Sequence, residues 1–253
     1  MNAVDRRAQI LQFVNARKEV GFSEIRDLLP DVSEMTIRRD LEQLNRDNKI
    51  VRVLGGAKSV EYLMNAAEAA YMKRSGENAE KKAVIARKAL QLIESDSTIF
   101  LGSGTTTTQL AKIIPNGNYF IVTTGMNCAI ELSMLEDVSL MMLGGVVNKN
   151  SYSVYGSLPV QMLDDMSFSV AFLGVSGFVA GKGFCTSVAE DFVMRQKIME
   201  HSEKTVILMD SSKVGRKGIY TFAPLDAVDY VISDDDLSPD VVEELEANNI
   251  TVL

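Results

Sequence analysis

Phe100-Leu101-Gly102-Ser103-Gly104-Thr105-Thr106-Thr107-Thr108 is the segment of this chain richest in anion-binding groups. It leaves an apolar run through glycines and hydroxyls and enters a helical pattern. Ser103, Gly104, Thr105, Thr106 and Thr107 therefore offer backbone N–H groups and hydroxyls where a phosphate binds. The same residues would also serve as a tight strand-to-helix turn with a cap. A Walker loop needs a Gly-Lys-Ser/Thr end, and the dinucleotide fingerprint needs a third glycine where Thr107 stands, so neither fits. Two further strand ends offer converging groups. Val122-Thr123-Thr124-Gly125 ends one apolar run and places Thr123 and Thr124 beside Gly102 at the expected ligand mouth. Asp210-Ser211-Ser212-Lys213 follows another, with Lys213 a point charge for phosphate and Asp210 an acceptor for sugar hydroxyls.

A different chemistry lies near the N-terminus. Ser33 caps a helix whose Ile37, Leu41 and Leu44 face inward, which turns Met35, Thr36, Arg38 and Arg39 outward. Arginines on the exposed first turns of a helix can reach guanine edges or phosphates, and Thr36 a phosphate or a thymine methyl. Alone, an arginine pair is more often solvated surface than a DNA contact. Its setting adds geometry: a helix over residues 4–16 with the stripe Val4, Ala8, Leu11 and Val14, and a short second helix capped by Ser23. A β-rich run, Ile50 to Leu54, then carries Arg52 into Gly55-Gly56. Three short helices and a strand ribbon form a winged helix-turn-helix.

The elements that must position these groups fall into two domains of unequal size. Residues 1–57 form the winged helix-turn-helix, residues 58–80 an alanine-rich acidic connector that is helical in its first part, and residues 81–253 an α/β domain. In the last, helical patterns near 81–93, 107–114 and 190–202 alternate with strands at 98–101, 119–123, 138–143, 170–175, 205–209 and 230–232, which implies a mostly parallel sheet covered by helices. The chain has 46% hydrophobic and 24% charged residues, the balance of a protein with a sizeable core. Its net charge of −8 excludes a surface coated in basic charge. Residues 1–57 hold ten basic and nine acidic residues, and the remainder sixteen and twenty-five. DNA binding would thus depend on a few placed arginines in a homo-oligomer, dimer or tetramer, and an anionic ligand would bind against the second domain's own field. With two cysteines and one histidine, no metal site is expected, and no cofactor. Asp5, Arg6 and Arg7 interrupt any leader pattern and no apolar run approaches the ~18 residues of a span, so a cytoplasmic chain without a membrane partner is expected.

Ser33-Glu34-Met35-Thr36-Ile37-Arg38-Arg39-Asp40-Leu41, followed by Arg52-Val53-Leu54-Gly55-Gly56-Ala57, closely resembles the DNA-binding signature of the DeoR family of bacterial transcriptional regulators. The resemblance implies a recognition helix that contacts operator DNA through Ser33, Met35, Thr36, Arg38 and Arg39, a wing with Arg52 on a phosphate, and a structural Asp40 that orients a neighbouring arginine. The resemblance extends further. Gly104-Thr105-Thr106-Thr107, Val122-Thr123, Gly144-Gly145, Phe172-Leu173-Gly174 and Asp210-Ser211-Ser212-Lys213 follow the order of that family's sensor domain. That domain is similar to ribose-5-phosphate isomerase and the CoA-transferases, and it binds phosphorylated sugars or related metabolites. Gly102 stands where the family usually has aspartate, and Thr124 where it usually has asparagine, so a different effector is expected.

Isomerases of that kind carry an acidic cluster where this chain has Gly174-Val175-Ser176-Gly177, without a carboxylate to act as base. The expectation is a repressor of a carbohydrate operon and not an enzyme. The alternative is an isomerase-like enzyme with an added DNA-binding domain, drawing on an acid elsewhere such as Glu190. Lys197, on the 190–202 helix, would also be able to reach the pocket, and His201 is expected as a helix-end residue favoured by the dipole.

Overall fold

Residues 2–47, 49–60 and 71–253 are described by the computed structural model. They divide into two units, Met1–Ala70 and Tyr71–Leu253. The first contains α1 (Ala3–Arg17), β1 (Glu19–Gly21), α2 (Phe22–Leu28), α3 (Glu34–Arg46), β2 (Ile50–Val53) and β3 (Gly56–Ser59). Its strands form an antiparallel sheet in the order β1-β3-β2. Asn2 accepts from the Asp5 amide to cap α1, and Ser33 accepts from the Thr36 amide to cap α3. The cap of α2 lies at Gly21, not Ser23, because the Glu24 carboxylate reaches back to the Gly21 amide at 2.7 Å. Gly55 turns the wing at φ +83°, and a Cβ on Gly56 would stand 2.1 Å from the Val20 carbonyl oxygen. Glycine at position 56 is therefore what allows β1 and β3 to pair.

Ile10, Val14, Ile25, Ile37, Leu41, Leu44 and Ile50 fill this unit's core. The buried stripe of α1 differs from the expected one: Val4 and Ala8 are exposed, and Ile10 and Val14 are buried in line with Arg6. Arg6 belongs to the inner face because its guanidinium meets the buried Asp40 of α3, Nε to Oδ2 at 2.5 Å and Nη2 to Oδ1 at 3.3 Å. The hydrogen bond to Asp40, partly opposed by burial, raises the Arg6 pKa. Asp40 thus orients α1 against the recognition helix, and the arginines it pairs with are Arg6 and, at 3.9 Å, Arg7, rather than Arg38 or Arg39. Asp40→Ala would leave the guanidinium unpaired in a mostly closed site. It is expected to destabilise this unit by about 2 kcal/mol, less than for a fully buried pair. Thermal denaturation followed by circular dichroism checks this, and an unchanged midpoint would show that the pair contributes nothing.

The connector expected at 58–80 is only partly distinct. Lys58 and Ser59 belong to β3, two residues past the expected domain limit, because both continue the antiparallel ladder with β2. Residues 61–70 lie outside the described residues, and 71–76 are helical.

In the second unit, α4 (Ala79–Ala89) precedes β4 (Thr98–Leu101), α5 (Thr105–Ala111), β5 (Tyr119–Thr123), α6 (Met126–Leu132) and β6 (Val138–Met142). The hairpin β7 (Val146–Asn148) and β8 (Ser153–Tyr155) leads to α7 (Ser157–Met162) and β9 (Val170–Gly174). Then come β10 (Gly177–Val179), β11 (Gly183–Thr186), α8 (Ala189–Glu200), β12 (Thr205–Leu208) and β13 (Tyr220–Ala223). The chain closes with β14 (Tyr230–Ile232), α9 (Pro239–Ala247) and β15 (Thr251–Val252).

Seven parallel strands form the main sheet in the order β15-β14-β12-β9-β4-β5-β6. Near-continuous apolar runs such as Thr205–Leu208, buried throughout, fit a sheet covered on both faces. One face packs Ile85, Leu110 and Leu132 of α4, α5 and α6, and the other packs Met194, Ile198, Val241 and Leu245 of α8 and α9. From β4 the chain winds outward to β5 and β6, and from β9 it winds the other way to β12. The strand order therefore reverses between β4 and β9, and a crevice opens beyond their carboxyl ends.

Candidate functional sites

On the first unit, Ser33, Met35, Arg38 and Arg39 are exposed and Thr36 half-buried, on or beside the first turns of α3. The Ser33 and Thr36 hydroxyls lie 2.9 Å apart. The Arg38 guanidinium stacks on the Phe22 ring, 4.4 Å from its centroid, which limits its freedom before any contact forms. Arg39 has no partner among the described residues. Arg52 lies on the wing but is paired with Glu42 of α3 at 3.1 Å, so a phosphate contact requires exchange of that partner. Both groups are exposed, so the exchange costs little.

On the second unit, a cavity of about 490 Å³ opens at the β4/β9 switch point. Ser103, Gly104, Thr105 and Thr106 form its floor, joined by Gly174, Val175 and Ser176 from the end of β9. The backbone N–H groups of residues 103–106 have no acceptor among the described residues, whereas the Thr107 and Thr108 hydroxyls close back on the Gly104 carbonyl at 3.0 and 2.7 Å. Lys213 also lines the cavity. The turn that carries it is fixed by Asp210, which accepts from Ser212 N at 3.2 Å, and by Asp234, which accepts from Ser211 N at 2.7 Å. Burial pushes the Asp234 carboxyl up, but the Ser211 and Lys81 hydrogen bonds together hold it below its ordinary value.

Five of the expected effector contacts are elsewhere. Gly102 points toward β9: its amide donates to the Phe172 carbonyl at 2.9 Å, and a Cβ would stand 3.1 Å from that oxygen. Thr107 is fully buried beneath the loop. Thr123 is also buried and donates to the Leu101 carbonyl at 2.6 Å, inside the sheet. Thr124 is buried, with its carbonyl accepting from Val154 N at 2.9 Å. Asp210 is buried outside the cavity lining, and its Oδ1 accepts from Asn78 Nδ2 at 2.9 Å, which braces the turn. Neither of the positions that depart from the usual family residues, Gly102 and Thr124, lines the cavity. Lys197 pairs with Asp164 at 2.8 Å, and His201 caps α8 with Nδ1 2.8 Å from the Met166 carbonyl oxygen.

Several cavity residues have no clear signal in the sequence. Arg195 of α8 lies over the Phe222 ring, bonds Asp191 through Nε at 2.6 Å and donates to the Gly174 carbonyl. Its spacing from Asp191 reads equally well as a surface i,i+4 pair. Asn148, Asn150, Ser151 and Ser153 add an amide and hydroxyl rim. Lys82 and Arg74 contribute further cations. Burial lowers the pKa of the Lys82 ammonium, opposed first by Asp210 and reinforced by Lys213. The cavity's only carboxylate among the described residues is Asp191, already engaged by Arg195 and by the Thr186 hydroxyl at 2.9 Å. The wall is suited to holding an anion and its hydroxyls, and it offers no free base for proton abstraction.

A winged helix-turn-helix with outward arginines, joined in one chain to an α/β unit with a cavity of cations and free N–H groups at its switch point, defines a DNA-binding regulator with a small-molecule sensor. The sequence matches the DeoR-like helix-turn-helix domain over residues 6–62 and the DeoR C terminal sensor domain over residues 77–235, and the chain belongs to the DeoR family of transcriptional regulators. It is similar to the lactose phosphotransferase system repressor of Staphylococcus epidermidis, with 32% identity over 92% of this chain and 93% of the relative. It is also 30% identical to the putative aga operon transcriptional repressor of Escherichia coli O157:H7, over 98% and 93% of the two chains. These relatives are regulators and not enzymes. Among solved structures, ribose 5-phosphate isomerase A from Methanocaldococcus jannaschii overlaps 55% of this chain and 56% of its own, with 18% identity and a TM-score of 0.41.

Proposed function

We propose that this protein represses a carbohydrate-metabolism operon and that a phosphorylated sugar or related metabolite, held in the sensor cavity, controls its operator binding. The cavity wall carries this reading: unpartnered N–H groups of residues 103–106 and the Lys213 ammonium face the same space as a hydroxyl and amide rim. Charge-assisted bonds to phosphate and neutral bonds to sugar hydroxyls use those two kinds of group. The names of the relatives, a lactose phosphotransferase repressor and an aga operon repressor, support the carbohydrate part. The reader works as a homo-oligomer in the cytoplasm, because one winged helix with a near-neutral surface neutralises too few phosphates for specific binding, and symmetric copies read paired half-sites.

The experiment is an anisotropy titration of operator DNA with the full-length protein and a panel of sugar phosphates, each beside its unphosphorylated sugar. One phosphorylated member is expected to change operator affinity by about 5- to 150-fold, the usual range of coupling between two sites, while its unphosphorylated form does not. Equal responses to both forms would remove the phosphate from the proposal.

A further inference from the structure

One cation of the cavity comes from the segment by which the chain enters the sensor unit. Arg74 lies in the helical turn 71–76, the first described residues of that unit. Its guanidinium donates to the Asn150 carbonyl and lies 6.0 Å from the Tyr71 ring centroid. Beneath it the buried Lys82 ammonium donates to the Arg74 carbonyl, and to that of Glu77 at 2.5 Å. Neighbouring lysines have carboxylate partners, Lys73 with Glu77 and Lys81 with Asp234 and Asp236. Arg74, Lys82 and Lys213 have none among the described residues, and all three line the cavity.

The remaining anchors of this segment end on α5, on the 148–153 loop and on the Lys213 turn. The Tyr71 hydroxyl donates to Thr108 Oγ1 at 3.2 Å, and its ring packs edge-on against Tyr152 with centroids 5.4 Å apart. Asn78 donates to Asp210 at 2.9 Å and to the Ser212 hydroxyl at 3.0 Å. A movement of α5, the 148–153 loop or the Lys213 turn therefore acts on residues 71–78.

We propose that Arg74 couples cavity occupancy to DNA binding: an anion held by residues 103–106 and Lys213 takes the Arg74 guanidinium from the Asn150 carbonyl, and the 71–76 turn shifts with it. The proposal rests on the sensor reading above and assigns its regulation to one residue. The exchange is favourable because a charge-assisted bond is roughly twice as strong as a neutral one, and the anion relieves repulsion among the cations that line the cavity. Arg74 is a coupling residue because it supplies the contact that differs between the two states, without which a ligand shifts nothing however tightly it binds.

The test uses the full-length protein with inorganic phosphate, glucose 6-phosphate and fructose 1-phosphate as probes. Calorimetry measures binding and anisotropy measures operator affinity. In Arg74→Ala, probe affinity is expected to fall less than about 10-fold while the ratio of operator Kd with and without probe collapses toward one, and Arg74→Lys restores part of that ratio. Hydrogen exchange across 71–78, slowed by probe in the wild type, becomes insensitive to it in Arg74→Ala. A wild-type ratio in Arg74→Ala, in a variant shown to be folded by its operator affinity, overturns the coupling role and leaves the sensor reading intact. Failure of all three probes to bind the wild type overturns both.

Discussion

Lys213→Ala is expected to weaken binding of the operative sugar phosphate by about 10- to 150-fold, the equivalent of losing one hydrogen bond to a charged group. The ammonium faces the cavity with no acceptor among the described residues, so no native bond is broken by its removal. The turn beneath it keeps its shape through the Asp210 and Asp234 carboxylates, which bond Ser212 and Ser211, and through the Lys213 backbone N–H donating to the Asp210 carbonyl at 2.9 Å, a bond that alanine keeps. The thermal midpoint without ligand should therefore stay within a few degrees of wild type, and operator affinity without ligand should be unchanged. Calorimetry reads the loss directly. Unchanged probe affinity would place the phosphate away from the Lys213 wall, and a large fall in midpoint would make the residue structural instead.

The second large effect belongs to α3. Removing either outward arginine should reduce specific operator affinity by about 5- to 150-fold, the discrimination of one good base contact. The two variants are expected to differ in kind. Arg38 is held against Phe22, so its guanidinium arrives oriented and loses little freedom on binding, as a base-reading fork requires. Arg38→Ala should therefore relax sequence preference at one position of each half-site. If Arg39 serves a phosphate, Arg39→Ala weakens all sequences alike and lowers the slope of log K against log salt by about one per contact. Binding isotherms at several salt concentrations, on operator and on scrambled DNA, separate the two. Unchanged operator affinity in Arg38→Ala would remove it from the recognition surface.

The legibility of the molecule follows the range of the interactions involved. The α3 face was readable because Ser33, Ile37, Leu41 and Leu44 lie within a few turns of one another, and a helix's 3.6-residue period decides which side chains share a side. The parallel strands were readable for the same reason, as short apolar runs bounded by glycine and polar residues. No local period marks Arg6 as an inward residue, because its partner, Asp40, lies 34 positions away. Thr123 and Thr124 end a strand and so read as ligand groups, yet the Thr123 hydroxyl donates to the Leu101 carbonyl and the Thr124 carbonyl accepts from Val154 N of β8.

By itself the sequence determined a winged reader with two outward arginines, an α/β sensor with a loop of free N–H groups, and the family to which both belong. It also determined that the loop after β9 holds no carboxylate. Only the tertiary structure decided which residues face the ligand. The order of the parallel sheet sets β4 beside β9, and that adjacency brings Arg195 of α8, Lys82 of α4 and Arg74 of the entering segment around the anion loop. Local sterics and periodicity act over a few residues, whereas a cavity is the space left where strands distant in the chain pack together. Its wall is therefore a property of the packing and not of any one segment.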